Sequence, residues 1–146
     1  MPRSCVVLRV FTRDLRGGNP LGVIADPSDL DTASMQRIAT YLGYSETIFI
    51  EGGDVPYIRI FTPAMELPFA GHPLVGAASV MLKSRPDLDR LRCGIGDVWI
   101  RAAEGNWWVD VEMTPDNATV DESGFAARVG LPEPLSTWRV AMPLDY

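Results

Sequence analysis

Runs of alternating apolar and polar residues recur along this chain and predict β-strands, because every second side chain of a strand faces the same side of a sheet. Seven segments carry this pattern or a short β-branched apolar run: 5–11, 21–25, 44–50, 57–61, 91–93, 98–101 and 107–113. The first two flank the glycine- and proline-rich stretch 17–20, so we expect them to pair antiparallel across a loop. We expect the tryptophans of the later segments to lie in the core and to cover the sheet.

Two segments predict helices. In the first, apolar residues fall at i, i+3, i+4 and i+7 and Gly43 is placed to end the helix, which indicates a surface helix with one packed stripe. The stripe consists of Met35, Ile38, Ala39 and Leu42, with Asp31 or Thr32 as the capping residue. The second segment, 74–82, is apolar on nearly every face, which is typical of a helix buried inside a protein.

The residues before this apolar helix predict a site at its amino end. Pro73 suits the first helical position, where its missing N–H removes no hydrogen bond, and the residue before a proline avoids helical angles. We therefore expect the helix to begin at Pro73, with His72, the only histidine of the chain, as its cap. The open amides of a helix start attract anions. The pattern predicts a central helix wrapped by sheet, with His72 and Gly71 facing a site that suits an anion.

Glu46 stands near the beginning of a predicted strand. Alternation puts it on the same side as Ile48 and Ile50, so if these two face the core, Glu46 lies at the rim of the core. A carboxylate beside an apolar interior is less stable as an anion than in water, which suits a general acid/base near neutral pH. The residues alone also allow an ordinary solvated glutamate here, and they allow 17–20 to be a plain loop or to line the site with Asn19.

Composition and charge narrow the classes of function. A net charge of −6 and a pI of about 4.7 argue against a nucleic-acid partner. The longest uncharged run, 67–82, is shorter than the roughly 20 apolar residues of a spanning helix, and the first residues lack a signal-peptide pattern, so we expect no membrane partner and a cytoplasmic location. Cys5 and Cys93 lie far apart without a CxxC pattern, so we expect buried free thiols and no zinc site.

Five motifs follow one another along the chain: GNPLGV at 18–23, MQRIA at 35–39, SET at 45–47, IRIFTP at 58–63 and ELPFAGHP at 66–73. Each motif alone is weakly specific. In this order and approximate spacing, the five resemble those of the PhzF-like isomerases, a family that is similar to diaminopimelate epimerase in fold.

The resemblance implies an α+β fold in which a mostly antiparallel β-sheet is rolled around a central α-helix, as one lobe of the diaminopimelate epimerase-like fold. In such enzymes the active site lies in the cleft between two lobes. The implied catalytic pair is Glu46 and His72. The implied substrate-binding residues are Ser45, Gly71, Asn19 and Pro73. The resemblance implies neither a metal nor a cofactor.

The reference activity of this family is the isomerisation of trans-2,3-dihydro-3-hydroxyanthranilate in phenazine antibiotic biosynthesis, in which a proton moves across a conjugated system. A single carboxylate that removes a proton from one carbon and returns it to another fits that chemistry. Epimerases of the related family use two thiols in the cleft. Cys5 and Cys93 match neither position, which disfavours a two-cysteine racemase.

The resemblance also sets the expected domain organisation. We expect residues 1–130 to form the first lobe, and residues 131–146 to be a linker and the first strand of a second lobe that is itself absent. Three hypotheses follow: one subunit of a split isomerase whose second lobe is a separate polypeptide, a homodimer that imitates the two-lobed enzyme, or a noncatalytic small-acid-binding or protein-interaction module.

Overall fold

The computed structural model describes residues 4–14 and 16–111 of the chain. Its elements follow in the order β1 (Val6–Val10), β2 (Asn19–Ala25), α1 (Thr32–Leu42), β3 (Glu46–Glu51), β4 (Tyr57–Phe61), β5 (Glu66–Leu67), α2 (Gly71–Ser84), β6 (Arg90–Cys93), β7 (Gly96–Ala103) and β8 (Asn106–Asp110). The end of the predicted strand 107–113, the boundary at 130, and the linker and strand in 131–146 lie outside the described residues. Within the described ranges, neither helix has the length and hydrophobicity needed to cross a bilayer.

The strands form one mixed sheet in the order β1-β2-β3-β4-β6-β7-β8, with the short β5 paired to β4. The expected antiparallel pairing of β1 with β2 is confirmed. Two other pairs, β2–β3 and β4–β6, are parallel. Parallel neighbours need a long crossover connection, and α1 lies between β2 and β3 in the chain while α2 lies between β4 and β6. The α+β class is therefore confirmed, with a sheet of mixed direction.

Helix α1 packs one apolar stripe against the sheet. Asp31 is its N-cap and accepts a hydrogen bond from the Ser34 amide at 2.8 Å. Gly43 ends the helix with a φ of 67°, an angle that favours glycine. Of the two predicted caps, Asp31 and Thr32, the structure selects Asp31, and the predicted helix end at Gly43 is confirmed. The buried cluster between this helix and the sheet consists of Ile24, Met35, Ala39, Phe49 and Phe61.

Helix α2 packs against the other face of the sheet. Ile48 and Ile50 belong to its cluster, whereas the intervening Phe49 belongs to the cluster of α1, as expected from the alternation of a strand. The helix is contacted by six strands from both ends of the sheet order, so the sheet curls around it: β1, β2, β3, β4, β7 and β8. The buried residues of the helix are Pro73, Leu74, Gly76, Ala77, Ala78 and Leu82.

The predicted start of α2 is wrong by two positions. The helix begins at Gly71 with Ala70 as its N-cap, so His72 is the second helical residue and Pro73 the third. None of the first three helical amides has an intrahelical partner, so a proline at the third position still removes no hydrogen bond. In the first backbone hydrogen bond of the helix, the amide of Leu74 donates to the carbonyl of Ala70 at 3.4 Å.

Two expectations about burial are wrong. The described tryptophans are partly exposed: 50% for Trp99, 37% for Trp107 and 44% for Trp108. They lie on the β7–β8 hairpin at the edge of the described sheet, where Arg90, Lys83 and Arg101 respectively stack on their rings in cation–π contacts. Cys5 is exposed because it precedes an edge strand, whereas Cys93 is buried.

At Gly76 helix α2 closely approaches Leu21 of β2, and replacement of this glycine tests the packing. A methyl group there would overlap Leu21 Cδ2 and would lie 3.3 Å from Val10 Cγ2, and Leu21 is fully buried. We expect Gly76→Ala to lower the free energy of unfolding by about 1–2 kcal/mol, because overpacking outweighs the gain in helix propensity. Urea unfolding followed by circular dichroism measures the change.

Gly52→Ala is the matched control, because Gly52 is exposed and an added methyl group there meets no atom within 4 Å. We expect the control to change the free energy of unfolding by less than about 0.5 kcal/mol. An unchanged or higher midpoint for Gly76→Ala would contradict the close approach of helix and strand.

Candidate active site

Glu46 lies on the side of the sheet that carries α2. It is the first residue of β3, and Ile48 and Ile50, which share its face, are buried in the core around α2. The parallel register places Glu46 opposite Leu21 of β2, whose side chain packs against Gly76 of α2. Glu46 therefore stands where the apolar face ends.

His72 meets Glu46 at this end of the core. Its Nε2 atom lies 3.2 Å from Glu46 Oε2, and the two side chains are only 13% and 17% exposed, respectively. One residue comes from the first turn of α2 and the other from the start of β3. The structure thus brings together the two residues that the sequence predicts as an acid/base pair.

The two facing atoms have no hydrogen-bond partners. Glu46 Oε2 and His72 Nε2 are both buried, and among the described residues neither makes a hydrogen bond, although the two atoms lie 3.2 Å apart. Nearly all buried polar atoms in proteins are paired, and leaving one unpaired costs about 1–3 kcal/mol. Unpaired buried polar atoms of this kind indicate a candidate functional site.

Burial sets the charge of the imidazole. It lowers the pKa of His72 below its ordinary value of 6.5, and the neighbouring Glu46 carboxylate offsets only part of this effect. His72 is therefore neutral at neutral pH. A neutral imidazole can donate one hydrogen bond and accept another, so His72 can bind either a donor or an acceptor on a ligand beside Glu46.

Ser45 and Asn19 extend the site along the starts of two paired strands. Ser45 Oγ donates a hydrogen bond to Asn19 Oδ1 at 2.9 Å. Ser45 precedes β3, and Asn19 begins β2, the parallel neighbour of β3. Because this bond uses Oδ1, the Nδ2 group of Asn19 is the part of the amide that can donate to a ligand. The sequence predicted both residues in the site but did not predict the bond between them.

Gly71 and Pro73 belong to the first turn of α2. Gly71 is exposed with open space where a side chain would be, whereas Pro73 is buried. The amides of Gly71 and His72 have no intrahelical partner, and Ala70 provides no capping side chain. These donors, together with the positive end of the helix dipole, suit a carboxylate ligand.

Other reactive groups lie outside this arrangement. Within the described part of the chain, no group of three His, Cys, Asp or Glu side chains could hold a metal ion. Burial raises the pKa of Cys93 and keeps it a thiol. Two cavities lie apart from the pair, one of about 550 Å³ lined by Arg59, Glu66 and Pro68 among others, and one of about 460 Å³ lined by residues of β1, α2 and β8.

The sequence assigned no role to Arg59 and Glu66, which form a doubly bonded ion pair in the wall of the larger cavity. The sequence signal that could have indicated this ion pair was the presence of opposite charges in two adjacent motifs, IRIFTP and ELPFAGHP. Only the antiparallel pairing of β4 with β5 brings those charges together, because it sets Glu66 opposite Phe61, two residues from Arg59.

Comparisons with known proteins found a family and several relatives. The family model described as phenazine biosynthesis-like protein matches residues 8–121. A trans-2,3-dihydro-3-hydroxyanthranilate isomerase of Pseudomonas fluorescens is 35% identical over 137 residues, which are 91% of this chain and 43% of that protein. An uncharacterized isomerase of Mesorhizobium japonicum is 49% identical over 80 residues, which are 52% of this chain and 26% of that protein.

A solved structure of a predicted epimerase from Pseudomonas aeruginosa matches the fold with a TM-score of 0.67 and 32% sequence identity, over 89% of this chain and 51% of that chain. The matched part of this chain spans less than half of the length of the two curated relatives.

The pKa of His72 tests the contact with Glu46. His72 is the only histidine, so its imidazole protons give one resolvable set of NMR signals. We expect a pKa below 6.5, because burial favours the neutral form. Glu46→Gln removes the negative charge that favours the imidazolium, so we expect this variant to lower the pKa of His72 further.

Glu51→Gln is the matched control, because Glu51 ends the strand that Glu46 begins. It should leave the pKa of His72 unchanged. If the folded Glu46→Gln variant kept or raised the pKa of His72, the two side chains would not be in electrostatic contact.

Proposed function

The chain belongs to the family of phenazine biosynthesis-like proteins, and we propose from this premise that Glu46 and His72 are the acid/base pair of an isomerase. The match over residues 8–121 confirms the resemblance that the motifs indicated. The proposed reaction moves a proton on a small conjugated carboxylic acid without a cofactor. Relatives named trans-2,3-dihydro-3-hydroxyanthranilate isomerase support this class of substrate. The observation that carries the proposal is the 3.2 Å approach of two buried atoms without hydrogen-bond partners.

In the proposed reaction, the Glu46 carboxylate accepts a proton from one carbon of the substrate. The electron pair left behind spreads over the conjugated system, and Glu46 returns the proton to another carbon, so that no atom is gained or lost. The neutral imidazole of His72 holds the substrate in place by a hydrogen bond. Proton transfer by a positioned side chain accelerates such reactions by about 10²–10⁴-fold.

The substrate carboxylate is proposed to bind at the start of α2. The amides of Gly71 and His72 are open donors there, and Asn19, held by Ser45, offers its Nδ2 group. Pro73 fixes the backbone of this turn from its buried position. Donors that are already in place stabilise the negative charge that develops as the proton leaves.

We also propose that a second lobe closes the pocket over the pair, supplied by a separate polypeptide or by a second copy of this chain. The comparison with the Pseudomonas fluorescens isomerase supports this, because the match covers 43% of that protein. Ser45 and Gly71 are exposed, so a lobe placed there would cover the proposed binding residues.

Exchange with solvent deuterium tests the proposed isomerase. The chain is incubated in D₂O with trans-2,3-dihydro-3-hydroxyanthranilate, alone and with the second half of the Pseudomonas fluorescens relative as a separate polypeptide. Mass spectrometry then measures deuterium on carbon. We expect incorporation when a second lobe is present, and we expect Glu46→Gln to slow it by at least about 100-fold because the proton acceptor is lost.

Glu51→Gln is the control and should retain the rate. Incorporation by the chain alone, at a rate that rises with its dimerisation, would identify a second copy as the second lobe. Substrate binding without any incorporation under either condition would contradict the isomerase and would favour a noncatalytic small-acid-binding module.

A further inference from the structure

We infer, building on the proposed function of Glu46 and His72, that Arg59 and Glu66 are positioning residues whose ion pair holds the segment leading into α2 and so sets the imidazole of His72 against Glu46. Arg59 lies at the centre of β4. Its neighbours Ile58 and Ile60 face the α2 core, so Arg59 acts from the opposite face of the sheet.

The ion pair is doubly bonded and partly buried. Arg59 Nε donates to Glu66 Oε1 at 2.7 Å, and Arg59 Nη2 donates to Glu66 Oε2 at 2.6 Å. The side chain of Arg59 is 17% exposed and that of Glu66 is 35% exposed. Nη2 also donates to Thr32 Oγ1 at 2.9 Å, at the start of α1. One guanidinium therefore joins α1, β4 and β5. Because the group is planar, its bonds fix the orientation of the Glu66 carboxylate as well as its distance from Arg59.

Glu66 begins the segment that becomes α2. It pairs with Phe61, and the next residue, Leu67, pairs with Ile60, which completes β5. The turn before β5 is also fastened, because Gln36 and Thr40 of α1 donate hydrogen bonds to the carbonyls of Thr62 and Pro63. The helix that carries His72 starts four residues after β5 ends.

The rest of this segment is supported mainly from the side of α2, where Leu67, Phe69 and Ala70 pack against the core. Ala70 makes no side-chain cap, and the β5 ladder has only two residue pairs. A cavity of about 550 Å³ borders Glu66, Leu67 and Pro68 and includes Arg59 in its wall, so packing does not hold the segment on that side. Arg59 and Glu66 both line this cavity, so their ion pair is the restraint on the segment at that side.

A second restraint on the segment acts at Pro68. Pro68 lies against Gly94, where an added methyl group would come within 2.5 Å of Pro68 Cα. This contact stops movement of the segment towards the β6–β7 turn. The ion pair fastens the same segment at Glu66, so we expect loss of Arg59 or Glu66 to displace the start of α2. A misplacement of about 1 Å at a reacting group can slow a reaction about 100-fold.

Arg59→Lys is the direct test. Lysine keeps the positive charge, but it lacks the forked guanidinium that donates to both carboxylate oxygens of Glu66 and to Thr32 Oγ1 at the same time. The pKa of His72 is measured by NMR, and deuterium incorporation is measured with the second lobe supplied. Burial is the larger influence on His72, so we expect displacement of the imidazole to raise its pKa towards 6.5. We expect kcat for incorporation to fall by about 10- to 100-fold, with little change in KM.

Glu66→Gln is the second variant. It keeps the shape and the acceptor oxygen but removes the charge, so we expect the same changes in a weaker form. If Arg59→Lys does not fold, this variant decides the question alone.

Arg92→Lys is the matched control, because Arg92 Nε donates to Asp97 Oδ1 at 2.6 Å in an ion pair on β6 and β7. It should leave the pKa of His72 and the rate unchanged. If Arg59→Lys and Glu66→Gln lowered only the urea midpoint, as a surface ion pair would, a positioning role would be excluded. If the unmodified protein incorporated no deuterium while Arg59→Lys still shifted the pKa of His72, the proposed isomerase would fail and the positioning of His72 would stand.

Discussion

Burial of α2 is the interaction on which the rest of this structure depends. Leu74, Ala77 and Ala78 are fully enclosed, and each square ångström of apolar surface removed from water contributes about 25 cal/mol. The helix has no polar face that could remain in solvent, so strands must cover it on several sides. Gly76 allows Leu21 of β2 to come close to the helix axis. The curl of the sheet follows from this requirement.

The same requirement places the candidate site at the end of the helix. An apolar interior does not accept charged groups without partners, so Glu46 and His72 lie where the core ends and remain slightly exposed. That position is buried enough to keep the imidazole neutral, while 13% of the His72 side chain and 17% of the Glu46 side chain remain exposed. The chemistry proposed for the pair depends on this partial burial, which neither a surface site nor a core site would provide.

Strand direction decides which residues join the pair. Because β2 and β3 are parallel, both strands begin at the same end of the sheet. Asn19 therefore lies beside Ser45, which precedes Glu46 in the chain. An antiparallel pairing of the same two strands would have separated them by the length of a strand. The crossover through α1 makes the parallel pairing possible.

The sequence by itself determined the elements with local signals. The cap and end of α1, the burial of α2 and the face that Glu46 shares with Ile48 all follow from capping chemistry and from periods of 3.6 and 2 residues. The motifs also identified the family and a pair of candidate residues. Only the tertiary structure decided the 3.2 Å contact of Glu46 with His72, the exposure of Trp99, and the bond between Arg59 and Glu66. These features depend on which strands become neighbours and on which strand lies at the edge of the sheet. Pairing between distant segments leaves no mark in the local pattern of either segment.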